Sequence, residues 1–455
     1  MPDAHDTDHA HGNQFSLLAQ RRFAPFFWTQ FLGAGNDNLF KFAFTVLITY
    51  QLQLSWLPPA QAGLVIGALF ILPFVLFSAT SGQLADKLEK AGLMRRIKEL
   101  EIAIMALAAW GFWTANVPVL LACVLLMGLH STLFGPVKFA YMPQHLDERE
   151  ITGGNGMMEM GTFVAILLGN VLGGVLAGLP EGSVPSSVQA VGLAGLLLAA
   201  LGRWAVQGVP PSPPDAPGLR LNFNPFSETW RNLQLARQQP TVFRTLLGIS
   251  WLWFFGAVFL SQFPAYAKEV LHGDEHVASL LLVVFSVGVG TGSLLCERLS
   301  RHHVEIGLVP LGALGMTVFA GALAWTSGLE PAAATRWGLG DFLAQPGHWP
   351  LLAELYLLSL SAGLFSVPMY ALVQWRSPPS HRARIIAANN ILNALYMIAS
   401  ALIVGALRSA GLGIPGVFGL LALANVAAAG ALFTLEPAYA QRCRAWLGRS
   451  GNKPA

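Results

Sequence analysis

The sequence predicts an all-α membrane protein in which twelve transmembrane helices form two pseudo-symmetric six-helix bundles, with both termini in the cytoplasm. Composition is the first observation behind this prediction: 54% of the 455 residues are hydrophobic, 11% are charged, and the mean hydropathy is +0.53. Soluble proteins carry about 25% charged residues. A chain with so few charges cannot cover its surface in water, which excludes a soluble enzyme and an extended disordered chain.

Long apolar stretches are the second observation. Each is long enough to cross about 30 Å of hydrocarbon as a helix, and helices are required because lipid cannot satisfy exposed backbone groups. The twelve stretches lie near residues 24–50, 60–83, 97–115, 118–139, 154–178, 187–206, 241–267, 277–298, 304–326, 350–373, 383–407 and 411–435.

The distribution of Lys and Arg is the third observation. With the amino terminus in the cytoplasm, nearly all of the 27 Lys and Arg residues fall on the cytoplasmic side, and we count Lys98 among them. Lys268, Arg336 and Arg408 fall outside. The positive-inside rule expects this asymmetry, and one missed or extra span would reverse it for every later loop. The net charge of +3 gives no reason to expect a nucleic-acid partner.

A Pro-rich stretch after span 6 divides the chain into two halves. We expect its opening, VPPSPPDAPG, to be extended and semi-rigid. Asn224 and Pro225 then predict the start of a helix on which Phe226, Trp230 and Leu233 share one face. That face either lies on the membrane surface or packs on the bundle. The predicted segments are a polar tail (1–22), a first bundle (23–206), the linker (207–240), a second bundle (241–436) and a cytoplasmic tail (437–455).

The two halves resemble each other in sequence. Residues 31–34 (FLGA) match residues 254–257 (FFGA), and a Gly followed by an acid and a base ends both span 2 (82–87) and span 8 (292–298). Parallel six-span repeats are typical of major-facilitator transporters, in which the substrate site lies between the halves near the midplane.

The turn after span 2 is similar to the signature loop of the major facilitator superfamily. It contains Gly82, Asp86 and Lys87, and Arg95 follows it. In that superfamily the aspartate caps and pairs with neighbouring helix ends in one conformation only. The resemblance implies that these four residues form a conformational switch.

Ionisable residues at membrane depth are candidate site residues, because burying each one costs about 2.5–3.5 kcal/mol. Span 1 holds Asp37 and Lys41, four residues apart on one helix face, with Asn38 beside them. Either the two charges form a self-neutralising structural pair, or Asp37 and its flanking asparagines line a water-filled cavity. The cavity is favoured because three consecutive polar residues cannot all face one neighbouring helix.

Spans 4 and 5 hold the second candidate group. Lys138 closes span 4, and Asn155 and Glu159 share a face of span 5, so Lys138 and Glu159 can pair near the cytoplasmic side. The alternative for Lys138 is a lysine that extends from a helix end to the interface. The second half contributes uncharged amides, among them Gln262 in span 7 and Asn390 in span 11.

Four segments resemble a narrower family. FLGAGNDNLFKFA, LFGPVKFAYMPQ, GGNGMMEMGTFVAILLG and LFSVPMYALVQ are similar to the bacterial lysophospholipid transporters and to the membrane module that some bacteria fuse to a lysophospholipid acyltransferase. The resemblance implies that lysophosphatidylethanolamine and lysophosphatidylglycerol move from the outer to the inner leaflet of the inner membrane, for reacylation in the cytoplasm. It also implies a head-group site lined by the matching residues Asp37, Asn38, Lys138, Asn155 and Glu159. This chain departs from the family at Gln262, where the family has an arginine, and at Lys41, where it has an apolar residue.

The expected mechanism is alternating access by rocking of the two bundles. Lys138 or Lys41 would meet the phosphate, and Asp37 or Glu159 would meet an ethanolamine ammonium. The sequence has no nucleotide loop, metal-ligand spacing or nucleophile motif, so we expect no catalysis, no cofactor and no metal. The expected partners are the lysophospholipid and the bilayer. Any acyltransferase would be a separate cytoplasmic protein, and the chain is expected to be a monomer.

Two other functions fit the same residues. A proton-coupled major-facilitator exporter of amphipathic compounds would use the membrane carboxylates as a proton relay. A scaffold would dock an acyltransferase without carrying anything. Dependence on a pH gradient without lysolipid movement would indicate the exporter, whereas transport by the purified chain in liposomes would exclude the scaffold.

Overall fold

The computed structural model describes residues 13–50, 56, 59–180, 186–300, 303–330 and 336–451. Within these ranges the regular structure is helical, apart from one bridge between Gly273 and Trp337. A short 3-10 helix, Gln14–Ala19, precedes the first α-helix. The α-helices are α1 (Ala24–Tyr50), α2 (Pro59–Lys87), α3 (Lys90–Trp113), α4 (Val117–His145), α5 (Glu148–Ala177), α6 (Ser187–Ala205), α7 (Pro225–Arg237), α8 (Pro240–Glu269), α9 (Glu275–Ser300), α10 (Leu308–Gly328), α11 (Leu339–Ala344), α12 (His348–Arg376), α13 (Arg382–Ser409), α14 (Ile414–Leu435) and α15 (Ala438–Gly451).

Twelve of these helices account for the twelve predicted spans. Among the described residues, 10 helices are long and apolar enough to cross a membrane. The other two helices of spanning length, α1 and α3, carry more polar and charged residues: α1 holds them near its middle, at residues 36–41, and α3 in its first half, at residues 90–101. Helices α1–α6 form the amino-terminal bundle. Helices α8–α10 and α12–α14 form the carboxy-terminal bundle, which packs around one continuous apolar core.

Helix caps, rather than the change from polar to apolar sequence, decide where two spans begin. Glu89 accepts hydrogen bonds from the amides of Ala91 and Gly92, so α3 begins at Lys90 instead of near residue 97. A capping box between Asp147 and Glu150 starts α5 six residues before the predicted span. Both helices therefore begin before the apolar stretch that marks the predicted span.

The linker is held against one end of the bundles. We call this end the linker face; α2 and α4 end there, and α3, α5, α8 and α13 begin there. The Lys90 amide donates to the Ser212 carbonyl at 3.0 Å, and the Lys90 ammonium binds the Asp215 carboxylate at 2.7 Å. The Gln83 side chain and the Asn222 backbone exchange two hydrogen bonds of 2.8 Å. The Pro-rich segment is thus a strap fixed to the α2–α3 turn.

Helix α7 uses its two faces differently. Asn232 and Ala236 are buried where the helix packs on α2, α8 and α13, and Leu233 packs partly against the carboxy-terminal core. Phe226 and Trp230 point away from the bundle, with exposed fractions of 79% and 55%. The predicted apolar face is therefore divided between bundle packing and an outward aromatic surface.

Parts of both predicted tails are folded onto the linker face. The backbone N–H of Gln14 donates to the Glu297 carboxylate at the end of α9, at 3.1 Å, so the described part of the predicted amino-terminal tail contacts the carboxy-terminal bundle. The carboxy-terminal tail forms α15, in which buried Tyr439 is hydrogen-bonded to Thr245 at 2.8 Å. The acids that end the two repeat-related turns, Asp86 and Glu297, both reach across to the other half of the chain.

Candidate functional site

The three consecutive polar residues in α1 point in three directions. Asn36 faces α3, where it donates to Glu101 at 2.8 Å, and Asp37 faces α4, where it accepts from the Ser131 hydroxyl. Asn38 is half-buried and donates to the Ala34 carbonyl of its own helix at 2.8 Å. Asp37 lies about 20 Å along α1 from its linker-face end, which is near mid-membrane.

Asp37 keeps one carboxylate oxygen uncommitted. Its Oδ1 atom is buried and has no hydrogen-bond partner in the part of the chain that the structure describes. Lys41 attracts Asp37 electrostatically, but its ammonium sits 3.9 Å from the centroid of the Phe70 ring. A cation over an aromatic face is stabilised without a carboxylate contact. Both groups thus keep capacity for a further charged partner.

Lys138 and Glu159 lie at the boundary between the two bundles. The two side chains are half-buried and attract each other electrostatically, and the Lys138 ammonium lies 4.5 Å from the Phe139 ring centroid. Phe139 stacks on Tyr370 of α12, with centroids 4.8 Å apart and planes at 1°. The Tyr370 hydroxyl in turn accepts from the Trp253 indole at 2.9 Å. Charges of both signs therefore stand beside aromatic rings from both halves.

Asn155 holds the bundles together. Its side chain and that of Gln374 in α12 exchange two hydrogen bonds, of 2.8 and 3.0 Å, and both residues are buried. The structure therefore pairs the Asn155 side chain with the carboxy-terminal bundle, and its place in a head-group site stays a prediction.

Asn390 and Gln262, the two uncharged candidate site residues of the second half, lie in different parts of the structure. Asn390 is half-buried on α13 with its amide nitrogen against Gly135 of α4, so it belongs to the bundle interface. Gln262 lies about 10 Å from the far end of α8 and contacts its neighbour Ser261 at 3.4 Å. The structure does not bring Gln262 to the depth of Asp37 or Lys138.

The four residues of the predicted switch loop make different contacts in the structure. Asp86 accepts from the Arg384 guanidinium at 2.9 Å and from the Ala383 amide at 3.0 Å, both in α13. A side chain at Gly82 would lie 2.9 Å from the Ala383 carbonyl oxygen, so glycine permits this close helix crossing.

The basic partner of Asp86 therefore comes from the second half of the chain. Arg95 donates to the Val209 carbonyl of the linker at 3.1 Å, and Lys87 is half-buried at the end of α2. We predict that Arg95 and Lys87 take no direct part in the contact between Asp86 and Arg384.

A buried charge cluster in α3 and α4 lies outside the set of residues that the sequence predicts for the site. Glu101 is fully buried, accepts from Lys98 at 2.6 Å and from Asn36 at 2.8 Å, and lies 3.4 Å from the Nε2 atom of His130. The assignment of Lys98 to the cytoplasmic loop charge is wrong, because its side chain is 1% exposed inside the bundle. A side chain at Gly33 would lie 2.6 Å from the Lys98 ammonium, so α1 makes room for it.

Two sequence signals point to this cluster. His130 stands in the middle of an apolar span, and Lys98 and Glu101 share a helix face three residues apart. The positive-inside rule accounts for Lys98 without any burial, so the sequence alone gives no reason to place the pair inside the bundle.

The helical fold and the hydrogen bonds that join its two bundles are consistent with one class of protein. The sequence model of the Major Facilitator Superfamily matches residues 26–399, and the chain belongs to that superfamily of multi-pass membrane proteins. The solved structure of the human organic anion transporter MFSD10 (TETRAN) superposes with a TM-score of 0.70 at 15% identity, over 90% of this chain and 99% of that one.

More specific similarity comes from curated bacterial proteins. The lysophospholipid transporter LplT of Enterobacter sp. (strain 638) is 27% identical over 350 residues, which cover 76% of this chain and 78% of that protein. The protein of the same name from Escherichia fergusonii is 26% identical over 367 residues, covering 80% and 82%.

Proposed function

We propose that this protein is a lysophospholipid transporter of the bacterial inner membrane. It moves lipids of the lysophosphatidylethanolamine and lysophosphatidylglycerol type from the outer to the inner leaflet, where a separate acyltransferase restores the second chain. The observation that carries the proposal is the placing of Lys138 and Glu159 beside aromatic rings between the bundles. A lysolipid presents the complementary chemistry: a phosphate, often an ammonium group, and a single apolar tail.

Two pairs of charged residues bind the head group: Lys138 with Glu159, and Asp37 with Lys41. Lys138 binds the phosphate as a point charge, and Glu159 balances it when the substrate is anionic. Asp37 binds the ethanolamine ammonium through its uncommitted Oδ1 oxygen. Lys41, held over the Phe70 ring, is the second phosphate partner.

Movement follows from separation of the bundles at the linker face. The Asp86–Arg384 ion pair and the Asn155–Gln374 amide pair hold residues 23–206 and 241–436 together there. We infer that this face is cytoplasmic, because the Lys and Arg residues concentrate on it. The structure then corresponds to the state that accepts lipid from the outer leaflet, and the next step breaks both pairs. The protein acts as a monomer.

Transport of defined lysolipids into proteoliposomes tests the proposal. Asp37→Ala and Lys138→Ala should each abolish transport, while membrane insertion and the melting temperature in detergent stay close to wild type. Glu99→Gln is a matched control, since Glu99 is an exposed carboxylate of α3 paired with Arg203. Normal transport in both alanine variants would contradict the assignment.

A proton-coupled exporter of amphipathic compounds is the second candidate, and the buried His130–Glu101 contact favours it. Accumulation of a cationic dye driven by a pH gradient, with no lysolipid movement, would decide for the exporter.

A further inference from the structure

A narrow groove opens on the outer side of the carboxy-terminal bundle. All of the residues that line it belong to α8, α12, α13 and α14. Helix α14 packs on α8 and α10 but makes few contacts with α13, which leaves a gap with α8 as its floor. Along the α14 edge of the groove, Ala428 is half-buried and Ala431 and Leu435 are exposed. The groove therefore faces the surrounding lipid and is separate from the bundle boundary that holds Lys138 and Glu159.

The groove extends over the depth of one leaflet. Leu435 is the last residue of α14 and lies at the linker face, whereas Asn425 lies about 15 Å of helix further in. The hydrocarbon core of a bilayer is about 30 Å thick, so this distance is half of it. The volume of the groove is about 190 Å³, below the roughly 300–1,000 Å³ of small-molecule pockets. These dimensions fit part of a single acyl chain.

The inner end of the groove offers little to water. The Trp251 indole donates to the side-chain oxygen of Asn425 at 2.7 Å, and the Asn425 amide donates to the Ala313 carbonyl at 3.0 Å. A buried water needs two to four polar partners, and these polar groups already bind each other or the backbone. Leucine and alanine side chains make up most of the remaining wall. An acyl chain of the bilayer is the occupant that matches this wall.

Arg244 stands at the linker-face end of the groove. It lies about 6 Å along α8 from the start of that helix, and its guanidinium donates to Glu436 at 3.1 Å. A guanidinium has five N–H donors, and the Arg244 side chain is 36% exposed. One carboxylate contact therefore leaves donors for a phosphate, which arginine binds well. A phosphate at this end and an apolar chain below it are the two parts of a phospholipid.

We propose that the groove is a binding site for a diacyl phospholipid of the leaflet at the linker face, with one acyl chain in the groove and the phosphate on Arg244. The occupant is a bilayer lipid because the groove opens to the bilayer, whereas the charges of the proposed substrate site lie elsewhere. The inference goes beyond the proposed function and does not depend on it. The bound chain fills a gap between α8, α13 and α14, so it stabilises the carboxy-terminal bundle.

Native mass spectrometry of the full chain, released from phospholipid nanodiscs, tests the site. The wild type should retain one diacyl phospholipid, and Arg244→Gln should bind it about tenfold more weakly or worse, because a hydrogen-bonded charge pair is lost. Arg408→Gln is the matched control, since Arg408 pairs with Glu269 at the opposite end of the same bundle and does not line the groove. Equal loss of lipid in the two variants, or no loss in either, would overturn the proposal.

A second variant tests the groove with Arg244 intact. Ala428→Leu fills the space for the acyl chain and should displace the lipid. Ala427→Leu places the same side chain at an exposed position of α14 outside the groove, and this variant should retain the lipid. Retention in Ala428→Leu, or loss in both variants, would overturn the proposal.

A comparison with the substrate separates this site from the proposed transport. Lys138→Ala should retain the phospholipid, and excess lysophosphatidylethanolamine should not displace it from the wild type. If no lysolipid is transported but the phospholipid is retained as described, the proposed function fails and the phospholipid site stands. Displacement of the phospholipid by lysolipid, together with loss of transport in Arg244→Gln, would assign the groove to the substrate path and overturn the proposal.

Discussion

The two bundles solve the problem of polar groups in a membrane in different ways. At mid-depth the amino-terminal bundle holds ion pairs and half-paired charges, centred on Glu101 and Asp37. The carboxy-terminal bundle uses uncharged partners at comparable depth: Ser250 with Asn393 at 2.8 Å, and Trp251 with Asn425 at 2.7 Å. Charges respond to pH and to charged ligands, whereas neutral hydrogen bonds do not. We therefore expect pH and charged ligands to act mainly on the amino-terminal bundle.

The largest expected effect comes from breaking the buried ion pair on one side only. Lys98→Met leaves the Glu101 charge without its ammonium partner in a fully buried position, so the free energy of unfolding in detergent should fall by about 3–5 kcal/mol. The double variant Lys98→Met, Glu101→Leu removes both charges and should recover most of this loss. A Lys98→Met variant as stable as the wild type would show that the pair does not matter, and a double variant no more stable than the single one would show that the unpaired Glu101 charge is not the cause of the loss.

The matched change in the other bundle should cost less. Asn425→Leu removes neutral hydrogen bonds to Trp251, Thr317 and the Ala313 carbonyl. Thr317 still donates to the Ala313 carbonyl at 3.1 Å, so only the Trp251 indole is left unpaired, at a cost of roughly 1–3 kcal/mol. A loss larger than that of Lys98→Met would reverse the contrast between the bundles.

A smaller loss of stability is expected from a change at Asp86, which pairs with Arg384 and so joins the two bundles. Asp86→Asn weakens the contacts to Arg384 and to the Ala383 amide, and a hydrogen bond to a charged group contributes roughly 1.5–3 kcal/mol. Amide exchange at the start of α13, followed by mass spectrometry, should become about tenfold faster or more. Asp274→Asn is the control, since Asp274 accepts from two amides that open α9 at the opposite face. Equal changes in both variants would mean general loosening instead of an opened lock.

The smallest effect concerns the linker strap. Burial opposes ionisation of Glu89, but hydrogen bonds from the amides of Ser212, Gly92 and Ala91 outweigh it and lower its pKa below the usual 4.5. A lowered pKa means that its stabilisation is present above about pH 4.5 and is lost as the pH falls through the lowered value. The effect should stay below about 1 kcal/mol, because the group is partly exposed and screened.

Limited proteolysis measures this loss. Trypsin cleavage at exposed Arg220 should be faster in Glu89→Gln than in the wild type at neutral pH. Arg237, at the end of α7 beyond the strap, provides an internal reference site. Identical cleavage at Arg220 in the two proteins would show that the strap is held without Glu89.

The sequence predicted the fold well because apolar length and charge asymmetry are local and additive properties. It also singled out Asp37, Lys138 and Glu159, since a charge inside an apolar stretch is too costly to persist without a structural or functional role. It could not predict that Asn155 meets Gln374, 219 positions away, because helix registers across two bundles are set by packing. Asp86 similarly predicted a partner without identifying Arg384.

Gly33 has a consequence for how this protein can change over generations. Its missing side chain is the space that the Lys98 ammonium fills, at 2.6 Å from where a Cβ atom would stand. Substitutions at positions 33 and 98 are therefore coupled. Alanine at 33 requires the Lys98 ammonium, the end of a flexible side chain, to move away from α1, and this movement changes its 2.6 Å contact with Glu101. We expect changes at 33, 98 and 101 to depend on one another.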